Sequence, residues 1–129
     1  MWGARMKRRA LLRGSLLGLV AATAAPLILI PKAGAVPLIG GNGLVPNAAN
    51  LANYIRGAYP GVLSIGGVRP CDSIGEHCAG RAIDIMVGSN TPLGHAINSD
   101  ILSQRGRFGV NYTLFGVKDH GDHIHASVY

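Results

Sequence analysis

The chain has 129 residues with a formal net charge of +6, a length that suits one domain and excludes two of ordinary size. The charge lies at the start, because residues 1–35 hold six Lys and Arg and no acid, whereas residues 36–129 hold six bases and six acids. The chain after residue 35 is therefore neutral. This argues against a nucleic-acid-binding surface, and so against a nuclease or phosphoesterase.

Residues 1–35 have the three parts of a secretory signal peptide. A basic segment extends to Arg13, an uncharged segment reaches Pro31, and small residues follow at Ala33-Gly34-Ala35. We expect cleavage after Ala35, and hence a secreted or cell-wall-associated protein with no stable membrane association. An uncleaved anchor is the alternative, although prolines interrupt the apolar segment. Arg8-Arg9 leaves export by the twin-arginine route open beside the general route.

The next segment leads into the domain that we expect at 47–129. Residues 36–46 are rich in glycine and proline, which predicts a linker or an irregular lead-in. A helix is predicted from Asn47, as its cap, to Arg56, with Gly57 as its C-cap. Its apolar stripe repeats at helical spacing and consists of Ala48, Leu51, Ala52 and Ile55.

The remaining elements predict a sheet with one more helix. That helix begins at Thr91-Pro92, ends at Gly106 and directs four residues to the core: Leu93, Ala96, Ile97 and Ile101. Strands are predicted at 62–68, 81–87, 108–112, 113–117 and 123–129, and a polar loop at 69–80. The order favours an α+β fold, with a small, mainly antiparallel sheet and helices packed on one of its faces.

Cys71 and Cys78 are the two cysteines of the chain. An exported protein meets an oxidising compartment, so the pair is expected to form a disulfide. A thiolate metal site is the alternative, but zinc thiolates usually have two to four intervening residues.

A cluster of histidines lies near the end of the chain, where His120, Asp122, His123 and His125 fall within six positions. Side chains alternate along a strand, so a strand from residue 123 places His123 and His125 on the same face. Adjacent imidazoles suit metal binding and proton transfer.

A second polar cluster contains His77 and Asp84. Asp84 is flanked by Ile83 and Ile85, so its carboxylate lies in an apolar strand and needs a cation, hydrogen bonds or a metal. His77, Asp84 and His125 can supply three ligands to zinc and leave a fourth position for water, as in catalytic zinc sites.

Together the two clusters resemble a known family. His77-x-x-Gly80-x-Ala82-x-Asp84, followed by His120-x-Asp122-His123-x-His125, is similar to the LAS-type zinc peptidases. These include the zinc D-alanyl-D-alanine metallopeptidases, the lysostaphin-type endopeptidases and the hedgehog signalling domain. The His-to-Asp spacing resembles the D-alanyl-D-alanine branch, and the resemblance covers residues 69–127.

The resemblance implies roles for particular residues. His77, Asp84 and His125 correspond to the metal ligands, and His123 to the histidine that assists the attacking water or stabilises the oxyanion. His120 corresponds to a histidine beside the site in endopeptidase-like members, and Asp122 to an acid that orients a histidine. Arg69 is the candidate to bind a substrate carboxylate. The chain lacks the Glu-x-x-Trp-His element of the dipeptidases, which favours histidine-assisted catalysis.

The expected function follows from this resemblance. It is a monomeric zinc metallopeptidase, of carboxypeptidase or endopeptidase type, that cleaves peptidoglycan stem or cross-link peptides beside D-alanine. The alternative is a zinc-bound module that binds peptidoglycan or a protein without catalysis, since hedgehog relatives keep such a site without known peptidase activity.

Overall fold

The computed structural model describes residues 36–129, so the predicted signal peptide lies outside the described residues. The described chain contains five strands and three helices in the following order: β1 (Leu38–Ile39), α1 (Pro46–Ala58), β2 (Ser64–Gly66), β3 (Ala82–Met86), α2 (Thr91–Ser103), α3 (Arg105–Phe108), β4 (Val110–Leu114) and β5 (His123–Val128). Within these residues no helix has the length and apolar character needed to cross a membrane.

The strands form one sheet in the order β1-β2-β3-β5-β4. The β1–β2 pair is parallel, and the other three pairs are antiparallel. The predicted α+β class with a mainly antiparallel sheet is therefore confirmed. Strand β5, which follows the other four described strands in the sequence, lies between β3 and β4 rather than at an edge.

The two faces of the sheet have different chemistry because side chains alternate along β3 and β5. Ile83, Ile85 and Ile124 are fully buried and belong to one hydrophobic cluster with residues of α1 and α2. Asp84 and His125 lie on the opposite face. The sheet thus uses one face for the core and leaves the other for polar chemistry.

Helix α1 confirms the predicted apolar stripe, whose four residues are all buried, but its ends differ from the prediction. The helix begins at Pro46, which suits a first helical position because proline lacks an amide hydrogen. Asn47 is not the cap, and its side-chain Nδ2 instead donates to the carbonyl of Tyr129. The helix continues through Gly57, so that glycine is not the C-cap.

The residues predicted as a linker or irregular lead-in, 36–46, contribute strand β1 to the sheet edge. Glycines make the close approach to β2 possible. A Cβ atom on Gly67 would lie 2.5 Å from the carbonyl oxygen of Gly40. Glycine content at these positions therefore reflects backbone packing and not only irregular structure.

The second half of the chain needs three corrections. Helix α2 ends at Ser103, and Gly106 lies inside the short helix α3. Ala96 is exposed, whereas Ile97 and Ile101 are buried as predicted. The two strands predicted at 108–112 and 113–117 are a single strand, β4, because Tyr112 and Thr113 pair with neighbouring residues of β5. The strand starts after residue 108 because Phe108 ends α3 and Gly109 turns the chain with a φ of +60°.

Candidate metal centre

The pairing of β3 with β5 brings together two of the polar residues. Asp84 and His125 are direct partners in this register, and Leu114 of β4 lies beside His125. The Oδ1 atom of Asp84 is 3.0 Å from the Nδ1 atom of His125, and both side chains are buried. The sheet therefore fixes the spacing of two charged or chargeable groups that are far apart in the sequence.

His77 reaches the same place from the loop between β2 and β3. Its Nδ1 atom is 2.9 Å from the carbonyl oxygen of Gly67. Because a carbonyl only accepts hydrogen bonds, Nδ1 carries the proton, and in the neutral ring Nε2 presents its lone pair. This Nε2 atom is buried and has no hydrogen-bond partner among residues 36–129, although Asp84 Oδ2 lies 3.2 Å away. A lone pair directed at a carboxylate is the arrangement that a shared cation stabilises.

His77, Asp84 and His125 therefore form a group that can hold a metal ion. One ligand atom from each lies within 4.8 Å of the others, and all three residues are buried. Two imidazole nitrogens and one carboxylate oxygen are a ligand set of the kind found in catalytic metal sites, which keep a fourth position for water.

The charges around Asp84 keep it ionised despite its burial. Burial alone would raise the pKa of Asp84, but hydrogen bonds from His125 and Arg69, with the positive charge that His77 and His123 carry when protonated, hold that pKa well below its usual range. Burial lowers the pKa of His125, yet the Asp84 and Glu76 carboxylates outweigh it and raise that pKa overall. The negative charges of the buried carboxylates are therefore balanced by the cationic and protonatable side chains around them.

Arg69 contacts the same carboxylate from the solvent side. Its Nη1 atom is 2.7 Å from Asp84 Oδ2, and 48% of its side chain remains exposed. Arg69, the residue predicted to bind a substrate carboxylate, therefore lies at the edge of the site with part of its side chain exposed to solvent.

The loop that carries Arg69 and His77 is closed by the predicted disulfide between Cys71 and Cys78. Gly80 ends this loop with a φ of +76°, and a Cβ atom there would lie 2.1 Å from the carbonyl oxygen of Gly43. The glycine of the His77-x-x-Gly80 motif is therefore required by the backbone.

His123, Asp122 and His120 lie beside the three-residue group. His123 Nε2 is 3.8 Å from Asp84 Oδ1, and its Nδ1 is 2.8 Å from Asp122 Oδ1. The Asp122 carboxylate accepts a hydrogen bond from Nδ1–H of His123, which leaves Nε2 facing the site. The His120 ring centroid lies 4.9 Å from that of His123, and His120 Nδ1 donates to the carbonyl of Lys118.

Glu76 is a site residue that the sequence analysis did not select. Its Oε1 atom is 3.0 Å from His125 Nε2 and accepts a hydrogen bond of 2.7 Å from the Tyr112 hydroxyl, and its Oε2 atom accepts one of 2.9 Å from Ser127. These three hydrogen bonds outweigh burial and lower the pKa of Glu76. Burial and the adjacent carboxylate raise the pKa of Tyr112 to about 12. In the sequence, this acid could have been selected because it precedes a candidate ligand histidine and lies within the loop that the disulfide closes.

A cleft of about 250 Å³ opens onto these residues. Its walls combine polar groups of the site with apolar side chains, namely Arg69, Asp72, Ile74, Glu76, His77, Tyr112, Leu114, His120 and His125. His77 and His125 are therefore accessible to a small ligand even though most of their surface is buried.

These features define a class of protein: a small α+β domain with a buried His-Asp-His group that can hold a metal ion and whose two histidines line a cleft. The chain matches the family model described as VldE, C-terminal domain, over residues 40–121. It belongs to that family. His77 and Asp84 lie inside the matched range, whereas His123 and His125 follow it. No curated protein and no solved structure matches the chain.

Proposed function

We propose that this protein is an exported zinc metallopeptidase that hydrolyses peptidoglycan stem or cross-link peptides at amide bonds beside D-alanine. The observation that carries the proposal is the buried Nε2 atom of His77. This atom lacks a hydrogen-bond partner in the described chain and is directed at the Asp84 carboxylate. The substrate class and the export rest on the sequence resemblance and on the predicted signal peptide.

Zinc is the metal that the donor set favours. Two imidazoles and one carboxylate match the ligands of hydrolytic zinc enzymes, and calcium and magnesium prefer sites made of oxygen alone. Manganese and iron fit the same donors less selectively. When bound, zinc supplies a Lewis acid and lowers the pKa of its water to about 7.

The chain contributes proton transfer and positioning beside this metal. In the neutral ring of His123, Nδ1–H donates to Asp122 and Nε2 presents its lone pair toward the site. It can therefore accept a proton from the attacking water or, once protonated, stabilise a developing oxyanion. The outward face of Arg69 provides a positive charge at the cleft edge for a substrate carboxylate.

The test is hydrolysis of purified peptidoglycan fragments, both pentapeptide and cross-linked forms, by the zinc-loaded protein. We expect His123→Ala to lower kcat/KM by on the order of 10²–10⁴-fold, the usual effect of removing an acid–base group, without loss of zinc. His95→Ala is the matched control, because His95 is exposed on α2 and contacts Phe115 rather than the site.

The products also separate the two peptidase types, since a carboxypeptidase releases a terminal amino acid and an endopeptidase separates two stems. A wild-type protein that binds zinc and releases no product would overturn the peptidase assignment. That result would favour the non-catalytic zinc module instead.

A further inference from the structure

We infer that Glu76 is a positioning residue that selects the metal-binding tautomer of His125. The inference rests on the proposed function and extends it to a residue outside the ligand and catalytic sets. Glu76 is buried, and within residues 36–129 its carboxylate is hydrogen-bonded by side chains on the sheet face that carries the site.

The four site histidines differ in which ring nitrogen faces the centre. His77, His120 and His123 each have Nδ1 bonded to an outer acceptor, so their protons are held there and Nε2 is free. His125 has the reverse orientation. Its Nδ1 faces Asp84, and its Nε2 faces Glu76.

A neutral imidazole carries one proton, and a metal ligand must present a lone pair. His125 can bind through Nδ1 only when its proton is on Nε2, and an ionised carboxylate at 3.0 Å is an acceptor for that proton. Free histidine has no fixed choice between the two tautomers. Glu76 removes this freedom and also fixes the ring plane, as outer partners of metal-bound histidines generally do.

Glu76 is itself held by two neighbours. The Tyr112 hydroxyl donates to the same oxygen that accepts from His125, and Ser127 donates to the other. Ser127 is fully buried and lies two residues from His125 on the same face of β5. The strand that supplies the ligand therefore also supplies one of the anchors for its partner.

The experiment measures zinc affinity of the purified protein by competition with a chromophoric chelator. We expect Glu76→Gln to weaken zinc binding by about 10–100-fold, the usual cost of losing such an outer partner. Glu76→Ala should weaken it at least as much. Tyr112→Phe and Ser127→Ala should have smaller effects, since each removes one of the two bonds that hold the carboxylate.

Asp122→Asn is the matched control. It removes a carboxylate that holds His123 in the same way, but His123 is not one of the three ligands, so zinc affinity should stay within about twofold, below the 10-fold floor expected for Glu76. Long-range ¹H–¹⁵N spectra of the histidine rings give a second readout. His125 should carry its proton on Nε2 in the zinc-bound wild type, and Glu76→Gln should disturb that signal while leaving the ring of His95 unchanged.

The outcomes separate this inference from the peptidase proposal. Unchanged zinc affinity and an unchanged Nε2 proton in both Glu76→Gln and Glu76→Ala overturn the role of Glu76 alone. A wild type that binds zinc tightly but cleaves nothing overturns the peptidase assignment and leaves the role of Glu76 intact. A wild type that binds no zinc overturns both.

Discussion

Asp84 and His125 are cross-strand partners, and the Asp84 carboxylate is the group around which four side chains of the site converge. His125 and His123 approach its Oδ1 atom, and His77 and Arg69 approach its Oδ2 atom. One carboxylate therefore balances four cationic or potentially cationic side chains. Its removal should affect metal binding more than any other single change at the site.

Asp84→Asn should abolish tight zinc binding. We expect a loss greater than the roughly 10–100-fold that follows removal of an outer partner, because a ligand and the main negative charge of the site disappear together. Isothermal titration with zinc measures this. Asp119→Asn makes the same chemical change at an exposed turn residue and should bind as the wild type does. Equal affinities for the two variants would contradict the proposed ligand set.

Replacing both Cys71 and Cys78 by Ser should destabilise the protein. The disulfide closes a short loop, for which chain entropy gives about 2.5 kcal/mol of stabilisation. Urea unfolding measures the change in the free energy of unfolding. The wild type under a reducing agent should show the same loss, which separates the missing bond from effects of the serines.

The same double variant should also bind zinc more weakly, because the loop carries His77. Unchanged stability in both the reduced protein and the double serine variant would mean that the loop is fixed by its other contacts.

Gly80→Ala should be costly. The backbone there has a φ of +76°, and a Cβ atom would meet the carbonyl of Gly43, so we expect a loss of about 1–3 kcal/mol. Gly106→Ala is the control, because a Cβ atom on that glycine meets nothing within 4 Å and the residue is helical. That change should be neutral or slightly stabilising. Thermal unfolding of both variants tests the difference, and a similar melting temperature for the two would contradict the strain assigned to Gly80.

Asp100 links α1 to α2 away from the site, and it should make stability depend on pH. The hydroxyls of Tyr54 and Tyr59 donate to its Oδ2 atom at 2.7 and 2.5 Å, and Gln104 donates to Oδ1. Although burial opposes them, these hydrogen bonds lower the pKa of Asp100. A carboxyl whose folded-state pKa is lowered stabilises the fold above its unfolded pKa of about 3.9, and this stabilisation is lost as pH falls through the folded value.

Asp100→Asn should therefore lower stability at pH 7 by about 1 kcal/mol. The difference between the wild type and the variant should shrink as the pH falls below about 4, the unfolded-state pKa, and should disappear as the pH passes through the lowered folded-state pKa of Asp100. Urea unfolding at a series of pH values measures that difference. A gap that does not change with pH would show that the hydrogen bonds do not depend on the charge.

The sequence predicted those parts of the fold in which local pattern and tertiary structure agree. The apolar stripe of α1 and the alternation around Asp84 are periodic, so both elements were found. The predicted division of β4 after Tyr112 was wrong because Tyr112 and Thr113 pair with neighbouring residues of β5. The predicted start was two residues early because Phe108 and Val110 read as one apolar run. The turn at Gly109 separates them in space, and a positive φ leaves no mark in hydrophobic periodicity.

The polar residues of the site could be selected from their types and spacing, but their contacts could not. Nothing in the sequence places Glu76 against His125 and Ser127, because these residues are joined by the pairing of β3 with β5 and by the path of a disulfide-closed loop. In the same way, the hydrogen bond of Asn47 depends on an oxygen of residue 129, which is 82 positions away in the sequence. Such partners are set by tertiary geometry.

The position of β5 has a consequence for the order in which the protein can acquire its structure. Among the strands that the structure describes, β5 is synthesised after β3 and β4, yet it lies between them and joins them in the sheet. During synthesis or export, the edges of β3 and β4 that pair with β5 stay without their partner strand until residues 123–128 have emerged. Closing the sheet then brings His125 to Asp84 in the same step. The fold and the metal-binding group are therefore completed together, and a nascent chain that stops before this strand has neither.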